Sequence, residues 1–352
     1  MSEMVEAYLT SDKRSVVVTY DEGLARAIPH ARSIVWRGAQ MLVLPNLADE
    51  ARVARNMGVN IPSPILTTYD WRKTTPWEIQ RTTAALLSES PRCYVLSELG
   101  TGKTRGVLYA MDWLLQTRQI RRALVITPLS TLTPVWEREI FTLMLPYKVS
   151  VLYGTRERRL RMLDADTPIA IVNHHGVAVL GDAGVDAGFD LIVIDELATY
   201  RNRRTELWKA ANRLVERSSF AWGLTGAPTP NAPTDAWAQV KLLTPARTTR
   251  TFTAFQEQTM VRVNTFKWAP KPGANELVAE AMKPGVRFTR ADVMELPDCT
   301  TVDRDAPLEG DALKAYQMLY KKARMLCANG ESITAANEDK CTLKLIRSKH
   351  FV

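Results

Sequence analysis

The sequence predicts an α/β fold built on a central parallel sheet. Short unbroken apolar runs alternate with segments whose apolar residues recur at helical spacing, and one strand-to-helix junction carries a glycine-rich loop. Strands covered on both faces read as continuous apolar runs, because neither side of such a strand meets water. Helices between them supply the crossovers a parallel sheet needs. At 352 residues and 46% hydrophobic, the chain can bury one large core with smaller pieces attached.

The elements follow in chain order. In "RSVVVTYDEGLARAIPHARSIVWRGAQMLVLP" (14–45) short β-rich pieces surround a helix-like "EGLARAI", so residues 1–66 read as a small α+β module. Pro62, Pro64 and Pro76 mark the linker into a main domain over 67–290. There "CYVLS" is a strand, and Val107, Leu108, Met111, Leu114 and Leu115 give "KTRGVLYAMDWLLQ" one apolar helical face. "ALVITP" is the next strand. Thr133 as N-cap and Pro134 as first helical residue would open a helix through "VWEREIFTLM". "VSVLY", an arginine-rich helix, "IAIVN", "FDLIVIDE", a helix over about 203–217, "AWGLTG" and a helix through "DAWAQVKLL" complete the alternation. "TFKWAPKPGANE" reads as a loop. Residues 291–352 read as a linker, a helix "LKAYQMLYKKARMLCA" and a basic tail. No repeat and no low-complexity tract interrupts the pattern.

Composition narrows the class. The first thirty residues lack the apolar block of a secretory signal, and no window approaches eighteen apolar residues in a row. Four cysteines, Cys93, Cys299, Cys327 and Cys341, form no CxxC pair, which argues against zinc and for a reducing, cytoplasmic setting. A formal charge of +8 favours an anionic partner, nucleic acid being the usual one, although an ordinary basic protein has the same balance. The arginine runs "RERRLR" and "YRNRRTELWKAANR" support such a case without making it, since most such runs are solvated helix faces.

Two motifs carry chemistry. "VLSELGTGKTRG" ends as a phosphate-binding loop ends, but the pattern G-x-x-x-x-G-K-[ST] places its first glycine where this chain has Ser97. A loop between strand and helix aims backbone N–H groups and a helix N-terminus at phosphate. Gly100, Thr101 and Gly102 form it, and the glycines let the backbone come close. Lys103 would meet the β- and γ-phosphates and Thr104 would hold Mg²⁺. Some ninety residues on, "LIVI" runs into Asp195 and Glu196. Asp195 would bind Mg²⁺ through water, and Glu196 would orient and deprotonate an attacking water. Either motif alone has a plain structural explanation, a chance Gly-Lys-Thr or an acidic helix start. In order within one alternating array, they indicate a nucleotide-binding site. Upstream, Gln80 is placed to read an adenine edge through its paired donor and acceptor, or is a plain surface residue.

Taken in order, "PWEIQ", "SELGTGKT", "VITPLSTLTPVWEREI", "IVNHHG", "VIDELATYRN" and "LTGAPTPN" resemble the Q motif and motifs I, Ia, Ib, II and III of superfamily-two helicases. The Trp-x-x-Glu of Trp136 and Glu139, the Arg-Asn after motif II and the "LTGxPxxN" element are most similar to the Swi/Snf-like branch, in its compact bacterial and phage members. The resemblance covers about residues 70–300. The family's first loop tolerates a non-glycine at the position of Ser97. Residues 1–66 more weakly resemble the accessory domain that precedes such motors, for which gripping duplex is the expected role. One departure is in motif II, where Ala198 stands at the position of a histidine, so that the link to motif III has to run through other groups. His174 and His175, in motif Ib, have no ligand set beside them and read as positional.

The resemblance implies a RecA-like lobe, the first of two between which ATP and Mg²⁺ are held while duplex DNA crosses both. It implies an ATP hydrolase of the helicase or translocase type, in a bacterial or phage-infected cell. It places Thr127 and Pro128 (motif Ia), Asn173 (motif Ib) and Thr225 (motif III) on the phosphate backbone or on the coupling path. Such contacts are indifferent to sequence and sensitive to salt. After "ITAANED", where relatives enter a second lobe, about thirteen residues remain. The expectation is therefore a missing second lobe, with its arginine finger worth about 10³–10⁵ in rate. Weak turnover follows unless another polypeptide or self-association supplies it. A DNA- or partner-binding module that no longer hydrolyses ATP is the alternative. An unrelated phosphate-loop kinase would leave "LTGAPTPN" and the Trp-x-x-Glu without a reason.

Overall fold

The computed structural model describes residues 7–71, 75–143, 147–163, 167–264 and 267–293, with a few helical positions between 310 and 318. The chain divides into two units, Met1–Leu296 and Pro297–Val352. The linker, helix and basic tail expected over 291–352 fall almost wholly outside the described residues.

The first module is a four-stranded antiparallel sheet of β1 (Ala7–Leu9), β2 (Ser15–Thr19), β3 (Arg32–Trp36) and β4 (Ala39–Pro45), in the order β1-β2-β4-β3. Val16 and Val18 on β2 and Leu42 and Leu44 on β4 alternate onto one face. That face meets α1 (Glu22–Ala27) and α2 (Ala48–Asn56) in a core containing Leu24, Ala51 and Ala54. Asp21 starts α1 by accepting the N–H of Leu24 at 2.7 Å. Arg37 and Gly38, both at positive φ, make the two-residue turn from β3 to β4. The module is tied to the main domain by the Arg55–Glu89 ion pair and by Asn46 Nδ2 donating to Thr67 Oγ1.

The main domain is doubly covered. Helices α3 (Pro64–Thr68), α4 (Glu78–Glu89), α5 (Lys103–Gln116), α6 (Arg138–Leu143), α7 (Arg156–Leu163), α8 (His174–Asp186), α9 (Glu206–Arg217) and α10 (Ala236–Leu243) intervene among β5 (Arg92–Val95), β6 (Ala123–Thr127), β7 (Val149–Leu152), β8 (Ile169–Asn173), β9 (Leu191–Asp195) and β10 (Phe220–Leu224). After these come α11 (Phe252–Thr259), a hairpin of β11 (Met260–Arg262) and β12 (Trp268–Pro270), α12 (Ala274–Ala281) and β13 (Gly285–Val286). The seven strands run in the order β13-β5-β10-β9-β6-β8-β7, with parallel pairing throughout. Leu191 and Val193 pack with α5 on one face, Ile192 and Ile194 with α9 on the other. This two-sided burial is why "LIVI" has no polar alternation. The expected α/β fold with a preceding α+β module is present.

Two expectations are corrected. Thr133 does not cap the helix after β6. A π-helical turn over Leu132–Glu137 begins earlier, with Thr131 as its cap, and leads into α6. Pro134 then sits in the first turn, where its missing N–H costs nothing. "TFKWAPKPGANE" is not a plain loop either: it supplies β12 and, with Gly273 in the left-handed region as N-cap, the start of α12.

Candidate nucleotide site

The C-terminal ends of β5, β6, β9 and β10 converge, which is where open parallel sheets bind ligands. The loop after β5 turns through Gly100 (φ 84°) into Gly102 (φ 72°), the N-cap of α5. Glycine has a second reason at 102. A Cβ there would lie 2.3 Å from the Gln80 amide nitrogen. Gln80 itself is buried, and its Oε1 accepts the Trp77 N–H at 3.0 Å, so the side chain is fixed between the start of α4 and the loop. It is not a surface residue. Lys103 folds back, its Nζ donating to the carbonyls of Ser97 (2.6 Å) and Glu98 (3.1 Å). Burial pushes its pKa down, while Asp195, Glu196 and Glu98 nearby pull it up.

Ser97 explains the lost glycine. Its Oγ accepts the N–H of Phe288 at 3.0 Å. The segment after β13 then follows the loop: Glu98 N–H donates to Phe288 O, and Arg290 donates from N to Glu98 Oε2 and from Nε to Leu99 O. A glycine would forfeit the hydroxyl that joins the loop to this strand.

The acidic pair is held by its neighbours. Asp195 Oδ2 accepts from the Thr127 hydroxyl (3.1 Å) and from the indole N–H of Trp136 (2.9 Å), and Oδ1 accepts the N–H of Glu196 (3.1 Å). Trp136 is fully buried on the π-helical turn, a geometry common at functional sites. Glu139, the other half of Trp-x-x-Glu, pairs with Arg105 on α5 at 2.8 Å. Glu196 occupies the left-handed region (φ 57°, ψ 57°), at about 1–2 kcal/mol for a side chain of its kind. Its Oε1 accepts the Thr225 hydroxyl at 3.1 Å. With Ala198 where a histidine was expected, the connection to the loop after β10 runs through Glu196 and Thr225. That loop lies close to the phosphate loop, since a Cβ on Gly226 would sit 3.4 Å from Ser97 O.

The residues assigned to nucleic acid lie differently. Thr127 and Thr225 are buried and bonded to the two carboxylates. Asn173 is buried too, its Oδ1 accepting from Arg159 Nη1 at 3.1 Å. Pro128 alone of the four reaches the surface, half-buried. As they stand, the other three side chains point inward and not onto an outward face. His174 is likewise internal: Nδ1 bonds the Tyr200 hydroxyl at 3.1 Å, and burial, then His175, depress its pKa to about 4. No group of three His, Cys, Asp or Glu side chains suited to a metal exists among the described residues.

The arrangement suits a polyphosphate with one Mg²⁺. It combines two positive-φ glycines, the N-terminus of a fourteen-residue helix and a half-buried lysine with carboxylates nearby. Mg²⁺ on phosphates takes only one or two protein oxygens, which Thr104 and Asp195 would supply. Sequence reasoning missed Trp136 as a site residue. Its signal was the tryptophan inside Trp-x-x-Glu, read there only as a family mark.

Comparison with known proteins agrees with this fold. Residues 71–350 match the family described as SNF2-related domain. The SWI2/SNF2 ATPase core of Sulfolobus solfataricus in complex with dsDNA matches with a TM-score of 0.55 and 20% identity, over 78% of this chain and 58% of that one. The same organism's SWI2/SNF2 ATPase core domain matches at 0.50 and 21%, over 80% and 60%. Protein p41 of Acyrthosiphon pisum secondary endosymbiont phage 1 is 28% identical over 200 residues, 54% of this chain and 44% of p41. The chain thus spans roughly half the length of these relatives. Among the described residues no helix is long and apolar enough to cross a membrane.

Proposed function

The chain belongs to the family of SNF2-related domains, and on that premise we propose that residues 67–290 are the nucleotide-binding lobe of an ATP-driven motor acting on duplex DNA. The observation that carries the reading is the meeting of Lys103, Asp195 and Glu196 at neighbouring strand ends, with Thr127, Trp136 and Thr225 holding the two carboxylates.

Gly100, Thr101 and Gly102 present backbone to the phosphates of ATP, and Lys103 exchanges the carbonyls of Ser97 and Glu98 for phosphate oxygens. Gln80, already fixed against the loop, faces the base. Thr104 and Asp195 hold Mg²⁺, which when bound neutralises charge on the β- and γ-phosphates. Trp136 and Thr127 keep Asp195 in one orientation. Glu196 orients water and accepts its proton, and Thr225 sets the position from which it does so. The loop after β10 therefore couples movement on DNA to the catalytic carboxylate. Contact with DNA is through phosphates and is salt-dependent. A second lobe, on this polypeptide, a partner polypeptide or another copy, contributes the arginine that raises turnover.

ATP binding and hydrolysis by the purified protein, with and without duplex DNA, test the proposal. The expected result is Mg²⁺-dependent ATP binding that Lys103→Ala weakens at least about tenfold, as loss of a charge-assisted contact should, and hydrolysis that duplex stimulates. Failure to bind ATP would overturn it. Duplex binding and ATP binding without turnover, even with a second lobe supplied, would favour the binding-module reading.

A further inference from the structure

The helices of the N-terminal module cover one face of its sheet only. By register, the opposite face carries Tyr8 on β1, Val17 and Thr19 on β2, Met41 and Val43 on β4, and Arg32, Ile34 and Trp36 on β3. Every residue of β3 is exposed. Tyr8 and Trp36 reach toward each other from the two edge strands, ring centroids 5.8 Å apart and tilted by 56°, yet keep 44% and 42% of their surface exposed. The Arg37 guanidinium lies 4.7 Å from the Trp36 ring centre. No carboxylate occupies any of these positions, while Arg32 and Arg37 are both exposed.

We propose that this open face binds unpaired bases of single-stranded nucleic acid, with Tyr8 and Trp36 as stacking platforms and Arg32 and Arg37 meeting the phosphates. Rings standing on an antiparallel sheet stack bases of any identity, because every base has a π-face, and flanking arginines supply the backbone attraction. A protein occupant fits less well. Its exposed apolar surface rests mainly on Tyr8, Ile34 and Trp36, with Val17 and Val43 half-buried and Met41 buried, which is little beside the roughly 20–30 residues a side that a stable interface takes. One ring, in contrast, suffices for one base. This surface lies outside the nucleotide site, and its ligand differs from the duplex assigned to the motor lobe and from the duplex expected for this module from its sequence.

The test is fluorescence anisotropy of the full chain with a labelled thymidine oligomer of roughly 12 nucleotides, inside the usual site sizes of such platforms. A labelled duplex of the same length serves as comparison. The assay contains no ATP, so its outcome is independent of the motor reading. Trp36→Ala should weaken single-strand affinity about tenfold or more and leave duplex affinity unchanged. Trp36→Phe should retain most of it, and Arg37→Ala should reduce the salt slope by about one. Cross-linking of a bromodeoxyuridine oligomer to the wild type should label peptides containing Tyr8 or Trp36, a readout that needs no variant. Unchanged single-strand affinity in Trp36→Ala, an equal loss on duplex, or cross-links confined to the main domain would each overturn the proposal. So would a dimer that Trp36→Ala dissociates while single-strand affinity holds.

Discussion

Where the strands of the large sheet begin, Arg92 donates to the carbonyls of Val215, Ser218 and Ser219. Arg122 donates to those of Ala187 and Leu163, and Asp190 accepts the N–H groups of Arg121 and Arg122. Where the same strands end, Thr127, Trp136 and Thr225 donate to Asp195 and Glu196, and Glu196 sits in a strained conformation. Both ends are polar, but they bond differently. At the first end side chains satisfy backbone groups at the strand starts, so the bonds serve the fold. At the second end side chains hold the two carboxylates and Lys103 holds loop carbonyls, and such bonds can be exchanged for those of a ligand. Strain persists there because the surroundings over-determine it.

Substitutions that separate turnover from stability sharpen this contrast. The largest effect is expected for Glu196→Gln, which removes a proton acceptor while keeping its shape. Turnover should fall by about 10²–10⁴ with ATP affinity and melting temperature nearly unchanged; a parallel loss of stability would erase the distinction between the two ends.

His174 tests it from the other side, since it lies beside the functional end but is buried. Its pKa falls to about 4 on folding, so between the unfolded value near 6.5 and about 4 the unfolded chain binds more protons. Stability should therefore drop as pH falls through that window, by up to roughly 3 kcal/mol. His174→Gln should flatten the pH dependence of denaturant midpoints over the same range, and an unaltered slope would exclude His174 as its source.

Trp136→Phe keeps the ring and deletes the N–H on Asp195. Hydrogen bonds to charged groups contribute about 1.5–3 kcal/mol, so Mg²⁺-dependent ATP affinity should weaken about ten- to hundredfold. Titration with a fluorescent nucleotide, with and without Mg²⁺, reads this directly; equal affinities in wild type and variant would leave Trp136 a core residue only.

At the opposite end Arg92→Met should cost about 2 kcal/mol by denaturant unfolding, within the usual range for losing a buried hydrogen-bond set, and leave nucleotide affinity intact. The smallest expected change is for Thr225→Val. Freeing Glu196 from one donor should lower turnover about tenfold at constant ATP affinity, the equivalent of about 1.4 kcal/mol and the low end of what a hydrogen bond to a charged group contributes.

Much of this was legible in the chain. The apolar runs of β6, β8, β9 and β10 read correctly because burial on both faces leaves a local trace. The places of Gly100, Gly102 and Lys103 at a strand-to-helix junction and of Asp195 and Glu196 at a strand end were legible, because these are short motifs with fixed local geometry. The start of the helix after β6 was not, because a π-helical turn has no simple residue pattern and Thr133–Pro134 imitates a cap. Nor was the burial of Thr127, Asn173 and Thr225, whose side chains would suit a surface as well as a network.

Local rules let the sequence by itself determine the alternation of strands and helices, the glycine-rich loop at the start of α5 and the acidic pair at the end of β9, since each depends on residues adjacent in the chain. Tertiary structure alone decided that Ser97 bonds Phe288, 191 residues away, that Trp136 bonds Asp195 across 59 residues, and that Thr225 bonds Glu196. Those contacts follow from the strand order, with β9 between β10 and β6 and β13 beside β5. The chain does not record that order locally, because sheet neighbours are selected by packing both faces at once.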